Sequence, residues 1–377
     1  MSILVFNPEH DIALASNLCI FTAPHAGRQL RHDLGFLPAL WAQEGDKVLV
    51  DDVETARRGY QKLVGRYVYL PDTSLFISAD ELTRSAETTV EPWGWDRAIV
   101  SFLRRKGVTS SLPTDIQLAE IRSLSHRRFA AKLLNQLTAD DSLSLLPGES
   151  IESRLTGQSF ECKSVDEINR CLQRWPLTVL KAPWSSSGRG VRFVTNLDAQ
   201  KGWATNLLAQ QGSVMAEPYY NKVRDFGAEF YSDGKGKVDF LGLSLFHTKN
   251  GAYTGNLLAT ESYKWSVITR YIPADLMQNV VSKIAALTGS LFRDKYKGPF
   301  GIDMMIVGKT GDVPALADES SSGFLLHPCV EMNLRRTMGH VSLALSRLIN
   351  PGGDDELVRV MRIETEDNTY KLKIQRQ

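Results

Sequence analysis

In the stretch "CVEMNLRRTMGH", Glu331, Asn333 and Arg335 stand at every second position. If the stretch is a β-strand, residues two apart share one face, so a carboxylate, an amide oxygen and a guanidinium lie side by side. Burying three such groups without partners is costly. A hard cation carrying phosphate reconciles them. Mg2+ prefers oxygen ligands, commonly one or two carboxylates completed by substrate phosphate oxygens, and an arginine fork clamps an anion through two parallel hydrogen bonds. A second carboxylate comes from "GPFGIDMMIVG", where Asp303 is the single charged residue of an apolar run. Read alone, Asp303 is a strand-end cap. Read with the Glu331–Asn333–Arg335 face, it is a metal ligand. Two divalent ions between these carboxylates and a triphosphate would neutralise charge at a transferring phosphoryl group.

A phosphate cradle is the second candidate. In "LKAPWSSSGRGVRFV", Lys181 closes one strand-like run, and Ser185, Ser186, Ser187, Gly188, Arg189 and Gly190 precede the next. Backbone N–H groups of such a loop can wrap phosphate oxygens, and glycine permits close approach. A mobile surface hairpin is the alternative reading. In "VMAEPYYNKVRDFGAEF", a strand ends at Glu217 and Pro218, and another begins near Asp225. That hinge can offer Glu217, the Pro218 carbonyl and the Tyr220 N–H to an adenine edge, with Asp225 within reach of ribose hydroxyls. A proline-broken loop is the plainer account.

These residues need a scaffold. "SILVF" (Ser2–Phe6) and "KVLVDD" (Lys47–Asp52) read as buried strands, and "RYVYLP" (Arg66–Pro71) as a third. In "NPEHD", Asn7 suits a helix cap, Pro8 the first turn and Glu9 the positive helix end. His10 or Asp11 would then face a ligand beyond the strand end. Strands alternating with helical stretches predict an α/β domain over residues 1–120. "SHRRFAAKLLNQL" predicts a helix capped by Ser125, and Ser164 to Glu167 form a capping box. Strand-like runs follow through "GSVMAEPYY", "DFGAEFYSD" and "KVDFLGLSLF", then an amphipathic helix over Pro273–Phe292, and a closing helix over Thr337–Ile349.

Composition excludes several classes. The chain has 377 residues and a formal charge of +1, so no basic surplus points to nucleic acid. No apolar stretch approaches the ~20 residues of a spanning helix. The apolar run at the start is short, and Glu9, His10 and Asp11 follow it, unlike a signal peptide. Four scattered cysteines with no C-x-x-C pair fit a reducing cytoplasm better than a zinc or disulfide framework. The Walker loop, a G-x-G-x-x-G opening a helix, G-x-S-x-G and H-E-x-x-H are all absent.

Taken in order from Leu124 to Ile349, these pieces resemble an ATP-grasp enzyme. "GPFGIDMMIV" followed by "EMNLRRTMGH" is similar to carboxylate–amine ligases of that superfamily, in which E-x-N-x-R follows G-x-D. The resemblance implies an α/β (α+β) chain. Its N-terminal domain (1–120) would resemble the domain preceding the ATP-grasp fold and help bind substrate. Two α+β subdomains follow, a lid (121–212) and a metal-bearing part (213–350), with a polar tail (351–377). It further implies that Arg127 and Lys181 touch ATP phosphates, although many members carry lysine where Arg127 stands. Ser185 to Gly190 would form the lid, Glu217 to Asp225 the nucleoside contacts, and Lys249 in "HTKNGAYTGN" a further phosphate contact. Asp303, Glu331 and Asn333 would hold two Mg2+ ions, with Mn2+ as a substitute, and Arg335 the acceptor carboxylate. The implied reaction joins a small-molecule or peptide carboxylate to an amine through an acyl phosphate, releasing ADP and phosphate. An ATP-grasp kinase and a nucleotide-binding module without catalysis are the rival readings. A homodimer is the default expectation.

Overall fold

The computed structural model describes residues 1–65, 75–82, 89–108, 112–145, 150–185, 188–249, 252–309 and 323–376. The strand expected at Arg66–Pro71 lies outside them, as do Ser186 and Ser187. The chain forms two compact units: residues 1–123, 253–263 and 334–377 build one, and residues 124–252 and 264–333 the other.

The first unit opens with four parallel strands, β1 (Ser2–Val5), β2 (Lys47–Leu49), β3 (Phe76–Ile77) and β4 (Thr89–Pro92). Their order is β3-β2-β1-β4. The continuous apolar run of β1 is explained by burial on both faces. Leu4 and Phe6 enter one core with Val48, Tyr60 and Trp93, whereas Ile3 and Val5 enter another with Val90, Ile99 and Leu103. Helices follow the strands at His10–Ser16, His25–Leu34, Val53–Val64 and Arg97–Arg105. Asp52 and Asp96 cap the last two by accepting from the Thr55 and Ile99 N–H groups.

The "NPEHD" stretch departs from expectation. The helix begins at His10 and its cap is Glu9, so Asn7 does not cap it. Asn7 instead donates to the Gly94 carbonyl at 2.9 Å and to Asp96 at 3.2 Å. His10 is 1% exposed and bonds Asp96 at 3.0 Å, so it ties the end of β1 to the end of β4. Gly94 makes room for its ring: a Cβ there would lie 2.6 Å from it.

The second unit contains two antiparallel sheets. β5 (Phe160–Cys162), β6 (Thr178–Lys181), β7 (Val191–Val194) and β8 (Val214–Pro218) run in the order β5-β8-β6-β7. Helices Val165–Arg174 and Lys201–Gln211 bury Ile168, Ala204 and Leu207 against Leu180, Val214 and Ala216. Ser164 caps the former by accepting from the Glu167 N–H, as its capping-box pattern predicts. β9 (Lys222–Ser232), β10 (Val238–Ser244) and β11 (Phe246–Lys249) follow, then β12 (Ala252–Leu258), which returns to the first unit from Tyr253 onward. β13 (Gly298–Gly308) and β14 (Phe324–Asn333) complete a sheet ordered β10-β9-β13-β14. Phe230, Phe292 and Phe300 are fully buried in its core, with ring centroids about 5 Å apart. The helix Arg127–Thr138 starts later than expected: His126, not Ser125, is its cap, accepting from the Arg128 N–H.

The segment expected as a polar tail carries strands. β15 (Arg359–Glu366) pairs with β12 and with β16 (Thr369–Arg376). Asp367 and Asn368 join β15 to β16 with φ of 50° and 58°, the left-handed pair that matches strand twist. Met361 and Leu372 are buried in the first unit's core beside Leu258, Val341 and Leu345. The expected architecture, an N-terminal α/β sheet followed by α+β layers, is present.

Candidate active site

The floor of the site, in the second unit, is one face of the β9-β13-β14 ladder. Asp303 stands opposite Gly227 on one side and Glu331 on the other; Gly301 stands opposite Glu229 and Asn333. Cross-strand partners share a face, so the four polar side chains and two glycines form two adjoining rows. The glycines leave the centre without side chains. A Cβ at Gly227 would lie 3.4 Å from Glu229 Oε1 and 3.6 Å from Asp303 Oδ1, so both carboxylates lean towards that gap. Asn333 Nδ2 donates to Asp303 Oδ2 at 3.3 Å.

Arg127 joins this floor to the lid loop. It opens its helix and is 8% exposed. Its Nη2 reaches Glu331 Oε1 at 2.8 Å and donates to Ser185 Oγ at 3.3 Å, while Nε donates to the Ala182 carbonyl at 2.9 Å. Arg127, expected at ATP phosphates, is thus paired with Glu331. The loop itself closes through Ala182 N–H to Gly190 O at 2.8 Å, and Gly188 takes φ 70°. Gly190 is required by space: a Cβ would meet Ser185 Oγ at 2.4 Å and the Ala182 Cβ at 2.9 Å. Gly190→Ala should therefore destabilise the protein by about 1–3 kcal/mol, read as a lower urea midpoint. An unchanged midpoint would show that Ser185 swings away freely.

Lys181 and Glu217 form a buried pair. Lys181 stands across from Met215, two residues before Glu217 on β8, so both side chains share a face. Nζ lies 2.5 Å from Glu217 Oε2, and Ser159 Oγ donates to Glu217 Oε1 at 3.0 Å. Glu217, expected at an adenine edge, is thus held by Lys181. Pro218 stays in the ladder opposite Thr178. Tyr220 stacks edge-on against His327 with centroids 5.3 Å apart, and burial pushes its hydroxyl up to about 12. Asp225 accepts from Lys222 Nζ at 2.5 Å and from Thr248 Oγ1 at 3.1 Å. Lys249 ends β11; its side chain lies outside the described residues.

Sequence reasoning missed three residues. Glu229, 3% exposed, shares its strand with Lys222, Arg224 and Asp225, so it does not stand out as Asp303 does. Cys329 is buried, and its thiol is pushed up by burial and by the charges of Asp303 and Glu217. His327 is 1% exposed; its Nδ1 has no hydrogen-bond partner among the described residues. No sequence signal marks His327 or Cys329.

Arg335 departs from the predicted pattern. β14 stops at Asn333, so Arg335 does not share its face, and it belongs to the first unit. There its fork grips Asp11, with Nε 3.0 Å from Oδ1 and Nη2 2.8 Å from Oδ2. Arg336 fixes the turn: its N–H donates to the Trp93 carbonyl, and its guanidinium lies 4.4 Å from the Trp41 ring centroid. His340 is buried in the capping box of Thr337, which explains it structurally.

The donors fit a hard divalent cation. Among the described residues no three His, Cys, Asp or Glu side chains are arranged to hold a metal alone. Asp303, Glu331 and Asn333 instead offer two carboxylates and an amide oxygen beside side-chain-free glycines, the incomplete oxygen set that Mg2+ completes with water and phosphate.

No protein-family model matches the sequence, and no curated protein does. Solved structures resemble the chain at low identity. N5-carboxyaminoimidazole synthetase from Staphylococcus aureus, complexed with ADP, is 11% identical with a TM-score of 0.48, over 97% of this chain and 83% of that one. Biotin carboxylase from Campylobacter jejuni, in a β,γ-ATP complex, is 15% identical with a TM-score of 0.48, over 98% and 77%. The biotin carboxylase domain dimer of Hydrogenobacter thermophilus 2-oxoglutarate carboxylase, with MgADP and bicarbonate, is 15% identical with a TM-score of 0.47, over 96% and 74%. Among the described residues no helix is long and apolar enough to cross a membrane.

Proposed function

We propose that the protein is an ATP-grasp ligase that uses Mg-ATP to join a carboxylate to an amine. The observation that carries this reading is the Asp303–Glu331–Asn333 face, bound through Arg127 to the Ser185–Gly190 loop. That connection puts hard oxygen donors, a guanidinium and the Ser185 end of the loop in one unit. In this reading Mg2+ supplies charge neutralisation at the γ-phosphate. Arg127 and Lys181 hold phosphate oxygens, and the loop over Ser185–Gly190 keeps water from the intermediate. The carboxylate oxygen of the substrate attacks the γ-phosphorus, the bond to ADP breaks, and ADP keeps its electron pair. The amine nitrogen then attacks the acyl carbon, phosphate departs, and the amine loses a proton to solvent. The protein contributes position and fixed charge.

Glu331→Gln should lower amine- and carboxylate-dependent ADP release by on the order of 100-fold or more while circular dichroism stays unchanged. Full turnover in that variant would defeat the metal assignment. Product analysis separates ligase from kinase: an amide with free phosphate supports the first, a stable phosphoester the second.

A further inference from the structure

The first unit has a cavity of about 430 Å³ that the proposed ligation does not use. Its size is within the range of small-molecule sites. Its position follows from topology. Glu9 follows β1, Asp51 follows β2, and Asp96 follows β4, so the cavity lies beyond the carboxyl ends of three parallel strands. The strand order β3-β2-β1-β4 reverses beside β1. A crevice opens at such a reversal because the helices on either side of it lie on opposite faces of the sheet.

The lining groups are not equally committed. Asp96 is consumed by His10, Asn7 and the Ile99 N–H. Arg31 is shared between Glu9 Oε1 at 3.1 Å and Asp51 at 3.5 Å, and its guanidinium lies 5.5 Å from the Phe102 ring centroid. Two uncommitted features remain. Arg28 and Arg105 line the cavity and are exposed, Arg105 reaching Ser101 Oγ at 3.5 Å, whereas the exposed carboxylate of Asp51 is already engaged by Arg31. Glu9 Oε2 is buried with no hydrogen-bond partner among the described residues, and burial raises the carboxyl above its ordinary range. A buried oxygen left unbonded is costly, and a donor from a ligand removes that cost.

We infer that this cavity binds a small anion that also carries a hydroxyl or ammonium donor, its anionic end on Arg28 and Arg105 and its donor on Glu9 Oε2. The inference concerns the first unit alone and stands whether or not the second unit binds nucleotide.

Cys19 lines the cavity and its thiol is free and exposed, so it reports occupancy. The experiment measures the rate of Cys19 alkylation by iodoacetamide, site by site by mass spectrometry, in the full chain. The probes are millimolar glycerol 3-phosphate and L-glutamate, with sodium sulfate and glycerol at matched ionic strength. Several-fold slowing by either probe, and not by the controls, is expected; which probe protects tells whether phosphate or carboxylate is the anion. Arg28→Glu, at an exposed site where folding is not at risk, should remove the protection, and Glu9→Gln should weaken it. No slowing by either probe, equal slowing by sulfate, or protection that survives Arg28→Glu would each overturn the inference.

Discussion

Lys181→Ala is expected to cost about 3–5 kcal/mol of stability, because it leaves the Glu217 carboxylate buried without its charge partner. Both side chains are only 9% exposed, so solvent does little to compensate. Ser159, which donates to Glu217 Oε1, would remain as a hydrogen-bond partner. The double variant Lys181→Met/Glu217→Leu removes both charges and should recover most of that loss, since apolar replacement of a buried pair is often neutral. This separates folding from ligand binding. For wild type, Mg-ATP at ~100 times its dissociation constant should add about 2.7 kcal/mol, visible as a rise in Tm. The double variant should fold and show no such rise. If it rises as wild type does, Lys181 holds no phosphate, and the pair is only a structural bridge between β6 and β8.

The second large effect concerns pH. Burial drives the His327 imidazole from its ordinary 6.5 down to about 4, with the nearby Lys181 charge acting in the same direction against Glu217. The folded protein therefore resists protonation that the unfolded chain accepts. Between pH 4 and 6.5 the unfolded state binds more protons, so stability falls as pH falls through that window. The contribution is fully present above the upper value and exhausted below the lower one. It amounts to about 3 kcal/mol. Urea unfolding of wild type and His327→Gln across this window should show a shallower profile for the variant. Parallel profiles would mean that His327 is bonded in solution through its Nδ1.

Much of the site was legible because charge is conspicuous in an apolar strand. Asp303 within "GPFGIDMMIVG" and the alternation of Glu331 and Asn333 are local signals, and the β13–β14 register made them neighbours. Glu229 is masked by the other charges of its strand, Lys222, Arg224 and Asp225. Arg335 could not be placed by alternation, because what ends β14 is non-local: Arg336 meets Trp93 and Trp41, residues far away in the chain. Asn7 and His10 read as helix-start and ligand residues, but Asp96 and Gly94 recruit them from another strand end. The hairpin β15–β16 was available from the alternation in "RVMRIETE" and "TYKLKIQR" and from the Asp367–Asn368 turn. It was hidden by its polarity, since only one face of it is buried. The orphan nitrogen of His327 has no counterpart in composition or spacing at all.

The interleaving of the two units along the chain bears on synthesis. The first unit takes β15 and β16, with Met361 and Leu372 of its core, from residues that follow the second unit in the chain. At ribosomal speeds of about 5–20 residues per second, the roughly 210 residues between Ser123 and Leu334 take about 10–40 s to emerge. For that interval Leu4, Phe6 and Tyr60 lack part of the cover they later have. A nascent chain stalled or truncated before β15 would present that apolar surface to chaperones and proteases, so completion of the N-terminal core waits on the synthesis of β15 and β16.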